Sequence, residues 1–260
     1  MSKPTFVLIP GAWHTPDHFD VFIQRLNKAG YPTRCEKLPS VDSHEPRKQS
    51  VTVDIEFVIK NILLPELEQG KDLIILAHSY GGWVAGAAPK GLSKEERSAA
   101  GLPGGVIGII FMTAFVGGEG GCITGLVPDK KLMPWNLVDF DTYQMSIGEP
   151  GPEQIFYHNV TDKSLVESAI RGLKPHSYRS FDTPSPQPAW PDKGFDGRRA
   201  YVFCHEDRAI PVEHQKVMVE VSGKEFRTFD LEDADHSPFL SKTEEMLEIV
   251  DGLAREWSRE

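Results

Sequence analysis

Three residues whose side chains together perform acyl-transfer chemistry stand far apart in this sequence: Ser79, Asp207 and His236. A serine hydroxyl is a weak nucleophile until a base takes its proton, and that base must be oriented by a carboxylate. Ser79 lies in Asp72-Leu-Ile-Ile-Leu-Ala-His-Ser-Tyr-Gly-Gly82, where an apolar run of strand length meets helix-compatible residues from Trp83 to Ala88. Its neighbours two positions either side, Ala77 and Gly81, are both small. A strand-to-helix turn tight enough to present the serine strains its backbone and leaves no room for bulk at those flanks. The turn also sets the serine at a helix N-terminus, where free N–H groups favour a developing oxyanion. The usual pattern is G-x-S-x-G, and alanine here replaces the first glycine.

The partners of Ser79 are sought after later strands, in the chain order serine, acid, histidine. Tyr201-Val-Phe-Cys204 reads as a strand and is followed by His205-Glu-Asp-Arg-Ala-Ile-Pro211, so Asp207 stands in the loop before the next helix. Glu206 is the alternative acid. Phe226 to Leu231 reads as the last strand and is followed by Glu232-Asp-Ala-Asp-His236. That loop favours His236 as the base over His214, which belongs on a helix surface; Asp233 and Asp235 read as solvated. The oxyanion needs two backbone donors, expected from Tyr80 and from Ala12 in the loop after the first strand. Candidate pocket residues are Gly11, Trp13 and His14 in that loop, together with Trp135; Trp13 and His14 are equally able to pack the loop down. His78 reads as scaffold. No H-x-x-x-H or carboxylate cluster has ligand spacing, so neither metal nor cofactor is expected. Gly117 to Gly121 lacks the Lys-Ser/Thr of a phosphate loop.

The elements that must hold these residues alternate. Thr5 to Ile9 is a strand, Asp17 to Lys28 a helix, Pro32 to Leu38 a strand, and Val51 to Glu68 a helix with Val53, Phe57, Ile59 and Leu63 inward. Ser93-Lys-Glu-Glu96 is a capping box. Val106 to Phe115 is a central buried strand, Arg199 to Cys204 another, Pro211 to Val221 a helix, and Glu244 to Trp257 a closing helix. The pattern predicts an α/β protein with a mostly parallel sheet covered by helices on both faces. Residues 117–196 break the rhythm with glycines, prolines, dense aromatics and one clear helix, Asp162 to Leu173. The expected division is therefore a core of residues 1–116 and 197–260 with an inserted cap, 117–196, over the sheet edge where open α/β folds bind ligands.

At 260 residues with 40% hydrophobic content the chain can bury a large core. A formal net charge of -10, with 28 basic residues in no long cluster, argues against nucleic-acid or membrane partners and for a small-molecule substrate. A homodimer is compatible with this composition. Cys35, Cys122 and Cys204 show no C-x-x-C pair and read as buried thiols of a reducing compartment. With no signal-peptide h-region in the sequence, the cytoplasm is the expected location.

Phe6-Val-Leu-Ile-Pro-Gly-Ala-Trp-His14, Ala77-His-Ser-Tyr-Gly81, Asp207-Arg-Ala-Ile-Pro211 and Asp235-His236 resemble the α/β-hydrolase superfamily, in the branch holding plant methylesterases, hydroxynitrile lyases and related microbial esterases. The likeness runs nearly full length and is weakest within the cap. It implies the α/β-hydrolase fold, and Ser79, Asp207 and His236 as the triad. The lyases it resembles carry a threonine where Gly11 stands and a lysine where Ser237 stands. Without that cation cyanide lacks its electrostatic stabiliser, and the glycine is expected to leave room for an ester carbonyl. The resemblance thus implies a serine esterase acting on a small, fairly apolar methyl ester or lactone. Its alternatives are a hydroxynitrile lyase-like or retro-aldol C–C lyase with the same triad, and a ligand receptor on the hydrolase fold.

Overall fold

The structure, a computed structural model, describes residues 3–126 and 132–259. The first part of the chain forms β1 (Thr5–Ile9), α1 (Asp20–Lys28), β2 (Thr33–Cys35), α2 (Val51–Val58), α3 (Leu64–Glu68), β3 (Asp72–His78), α4 (Gly81–Ala87), α5 (Lys94–Ala99) and β4 (Gly105–Met112). Then come α6 (Ile123–Leu126), β5 (Asn136–Asp139), β6 (Gln144–Ile147), α7 (Pro152–Phe156), α8 (Lys163–Gly172), β7 (His176–Ser177) and α9 (Arg179–Asp182). The chain closes with β8 (Arg199–Cys204), α10 (Val212–Val221), β9 (Arg227–Leu231), α11 (Pro238–Ser241) and α12 (Thr243–Trp257).

Six strands form one parallel sheet in the order β2-β1-β3-β4-β8-β9. Every residue of β1, β4 and β8 is buried. Successive side chains of a strand point to opposite faces, so burial of all of them means that both faces are covered. Because the strands are parallel, the residues following β1, β3, β4, β8 and β9 emerge at one edge. Ser79, Thr113, Asp207 and His236 all lie within a few residues of those strand ends.

Between β4 and β8 lies an antiparallel sheet, β5-β6-β7, that the sequence pattern did not suggest. Its strands are only four, four and two residues long, too short to display an alternation. Hydrogen bonds tie this region to the core: Trp13 Nε1 donates to the Met145 carbonyl at 3.1 Å, and the Asn159 N–H donates to Asp235 Oδ2 at 3.0 Å. Asp235 is thus buried rather than solvated. Within the expected 117–196 span, residues 127–131 lie outside the described residues.

The helix expected from Val51 to Glu68 exists in three pieces, with a wide π turn at Ile59–Leu63 joining α2 to α3. Its inward face is Val51, Asp54, Ile55 and Val58, while Val53 is exposed. Of the residues expected inward, Leu63 is buried and Phe57 and Ile59 pack partly against the core; only Val53 fails, because a buried carboxylate, Asp54, takes the inward position beside it. Ser93 and Glu96 form the anticipated capping box on α5. The three cysteines are free thiols; Cys204 is buried, whereas Cys35 and Cys122 are only half-buried. Among the described residues no helix is long and apolar enough to cross a membrane.

Trp257 of α12 packs directly on β4. A Cβ built on Gly108 in β4 would stand 2.2 Å from the Trp257 ring. Gly108→Ala therefore forces a fully buried tryptophan to move. Overpacking of this kind costs about 1–3 kcal/mol, which lowers the unfolding midpoint of a domain this size by roughly 2–10 °C. Thermal unfolding of the variant at the wild-type midpoint would contradict the packing described.

Candidate active site

The turn after β3 holds Ser79 at φ 52°, the left-handed region that a non-glycine residue enters only at a cost of about 1–3 kcal/mol. Close backbone approaches on both sides make room for it. A Cβ at Gly81 would meet the Ile9 carbonyl oxygen at 2.3 Å, and one at Gly82 the Phe115 carbonyl oxygen at 2.4 Å. The two glycines let the start of α4 wedge between the chain segments leaving β1 and β4. The Ser79 carbonyl then accepts from the N–H groups of Gly82 at 3.0 Å and Phe115 at 3.1 Å.

His236 Nδ1 lies 2.7 Å from Asp207 Oδ2, with both side chains buried. Glu206 makes no such contact; Asp207 is the acid that faces the imidazole. The Asp207 carboxylate is held from all sides. Ala209 and Ile210 donate their N–H groups to Oδ1 at 2.7 and 2.9 Å, Gln215 Nε2 donates to Oδ2 at 3.3 Å, and the Thr113 hydroxyl donates to the same oxygen. An oxygen so oriented fixes a proton on Nδ1 of His236 and leaves Nε2 free to accept. Thr113 and Gln215 were not read from the sequence. The available signal was a polar residue ending an otherwise apolar strand, and a buried glutamine on the helix after the acid loop.

Ser79 and His236 open onto one cavity of about 370 Å³, lined by Trp13, Trp135, Phe156, Phe181, Ile210 and Met218 among others. That volume falls in the range that encloses drug-sized ligands. Among the described residues no Lys, Arg, Asp or Glu lines it. His214, expected on the surface, is exposed and also borders the cavity.

Of the pocket residues expected in the first loop, Trp13 lines the cavity and His14 does not. His14 is turned behind it, donating from Nδ1 to the Ala12 carbonyl at 2.7 Å and accepting from the Tyr157 hydroxyl at 2.9 Å through Nε2. Burial, then the neighbouring His18 and His78, hold it well below the usual histidine range and therefore neutral. Gly11 is likewise not a lining residue. The space a Cβ would need is taken by His78 Nδ1 at 2.8 Å and Ser79 Cβ at 2.9 Å, so the glycine serves close approach to the His78–Ser79 turn rather than room for an ester carbonyl. His78 is buried scaffold, its Nε2 donating to the His236 carbonyl at 2.8 Å. The N–H groups of Ala12 and Tyr80 donate to no protein acceptor among the described residues.

A model of the alpha/beta hydrolase family matches residues 6–249, and the chain belongs to that family. It is 26% identical to alpha/beta hydrolase nvfD of Aspergillus novofumigatus (strain IBT 16806), over 98% of each chain. It is also 26% identical to methylesterase 7 of Arabidopsis thaliana, over 97% of this chain and 98% of that one. The crystal structure of polyneuridine aldehyde esterase shares the fold with a TM-score of 0.73 at 20% identity, covering 97% of this chain and 99% of its own.

Beneath Tyr80, burial pushes the Asp54 carboxyl up to about 6, against hydrogen bonds from Ser40 and Tyr80 that pull it down. A raised folded-state value means the folded protein holds this proton more tightly than the unfolded chain. Its contribution is therefore fully present below about pH 4 and is lost as pH rises to about 6. Urea unfolding between pH 4 and 6.5 should show that Asp54→Asn removes a decline on the order of 2–3 kcal/mol from the wild-type profile. Parallel profiles for the two proteins would contradict this environment for Asp54.

Proposed function

We propose that this protein is a serine hydrolase that cleaves a neutral, predominantly apolar carboxylic ester or lactone through an acyl-enzyme. The observation that carries the reading is the convergence of Ser79 and the Asp207–His236 pair on one apolar cavity. His236 Nε2 takes the Ser79 proton as Oγ attacks the ester carbonyl, and Asp207 stabilises the imidazolium that forms. The negative charge that develops on the carbonyl oxygen is received by the N–H groups of Ala12 and Tyr80, aided by the N-terminus of the following helix. His236 then gives its proton to the leaving alkoxide. Water, deprotonated by the same imidazole, releases the acid and restores Ser79.

The cavity supports a neutral substrate. Among the described residues it has no cation to pair with a substrate carboxylate, and after hydrolysis the acid product becomes a charge that the apolar wall does not solvate, which favours its release. The same lack of a lysine or arginine weighs against a cyanide-releasing lyase, because Ser237 stands buried outside the cavity. We assign residues 117–196 the role of a cap. Their contribution of Trp135, Phe156 and Phe181 to the cavity wall supports substrate selection there. The esterase names among the relatives agree with this chemistry and leave the acid unspecified.

A panel of nitrophenyl esters and lactones of increasing acyl length tests the reading. The wild type should turn over neutral apolar members and discriminate against acyl groups bearing a carboxylate, while Ser79→Ala falls to the uncatalysed rate. Equal turnover by Ser79→Ala would remove the serine from the reaction.

A further inference from the structure

Tyr80 supplies one of the two oxyanion donors assigned above, yet its side chain leaves the cavity entirely. Its ring is fully buried, stacked on Phe181 at 5.5 Å between centroids and 7° between planes, with the edge of His176 at 4.9 Å. Its hydroxyl donates to Asp54 Oδ2 at 2.6 Å. Asp54, on α2, is fully buried and takes two more hydrogen bonds from Ser40, the N–H to Oδ1 at 3.0 Å and the hydroxyl to Oδ2 at 2.5 Å. None of Ser40, Asp54, Tyr80 and His176 lines the cavity.

Among the described residues this carboxylate has no counter-ion. Its partners are three neutral donors, and the nearby imidazole of His176 is held down to about 3 by burial, so it stays neutral. An acid buried without a cation is an expensive way to stabilise a core. What distinguishes this one is its address: it grips the far end of the side chain immediately after a serine held in left-handed backbone. A leucine or phenylalanine at position 80 would be located by packing alone, and its peptide plane would be set less sharply than by a tether at the far end of the ring.

We propose that Asp54 is a positioning residue for the oxyanion hole: by holding the Tyr80 hydroxyl it fixes the Tyr80 peptide, so that its N–H points at the oxyanion formed on attack by Ser79. The inference rests on the serine-hydrolase reading. It assigns Asp54 to the chemical step rather than to substrate binding, because Asp54 lies outside the cavity and acts only through Tyr80.

Labelling of Ser79 by an alkyl fluorophosphonate, followed by intact mass, tests this without knowledge of the natural substrate, since phosphonylation uses the same donors. Tyr80→Phe keeps both ring contacts and removes only the hydroxyl, with its hydrogen bond to Asp54 and its approach to Ser40 and Ser180, so it carries the test even if Asp54→Leu, which cannot hydrogen-bond the tyrosine, folds poorly. Each single variant should label about tenfold more slowly than wild type, less than the loss on deleting an oxyanion donor outright. The double variant should label no more slowly than the slower single one, because both changes cut the same link. With a nitrophenyl ester, kcat should fall by the same factor and KM stay within about twofold, a split that general loosening of the core would not produce. Wild-type labelling rates in Tyr80→Phe, or single effects that multiply in the double variant, would overturn the role of Asp54. A wild type that does not label at all would overturn the hydrolase reading itself, and this inference with it.

Discussion

The left-handed backbone at Ser79 is the constraint around which the sheet edge is arranged. It is costly for a residue with a side chain and persists only because its surroundings over-determine it. Gly81 and Gly82 allow the strand ends of β1 and β4 to press on the start of α4, and Gly11 lets the first loop approach the serine on the other side. The Ser79 carbonyl is bonded twice, to Gly82 and Phe115. A hydroxyl held this way sits at the head of a helix, where developing negative charge is favoured.

Asp207 and His236 are held by a different principle. Asp207 is surrounded by donors rather than by steric walls, so its carboxylate has one available direction for His236. Two further links reach across from residues 117–196. Tyr157 fixes His14, and through it the Ala12 carbonyl, while Asn159 engages Asp235 beside His236. The segment that walls the cavity is thus bonded to the loops that carry Ala12 and His236, which couples the shape of the pocket to the placement of those residues.

Much of this was legible in the sequence because it is written locally. Strand patterns ending just before Ser79 and a few residues before Asp207 and His236 located the strand ends, and the parallel order brought these residues to one edge. What escaped was written non-locally. Asp54 escapes the hydrophobic pattern of its helix because it is a charge in an inward stripe, next to Val53, which the pattern placed inward and the structure leaves exposed. Thr113 meets Asp207 across 94 positions, with no local signature beyond one polar residue at a strand end. His14 looked like a pocket residue by proximity to the first loop, but a hydrogen-bond partner in the distant segment, Tyr157, turns it away. The strands β5 to β7 are too short to display an alternation, and one of them pairs across some thirty residues.

In the proposed mechanism Ser79 carries the acyl group between ester and water. Rapid quenching of wild-type protein during a single turnover of a nitrophenyl ester, with protein in excess, followed by peptide mass mapping, addresses it directly. A transient acyl adduct on the peptide containing Ser79 should form as nitrophenol is released and decay as the free acid appears. Release of nitrophenol and acid in full with Ser79 never acylated would contradict it.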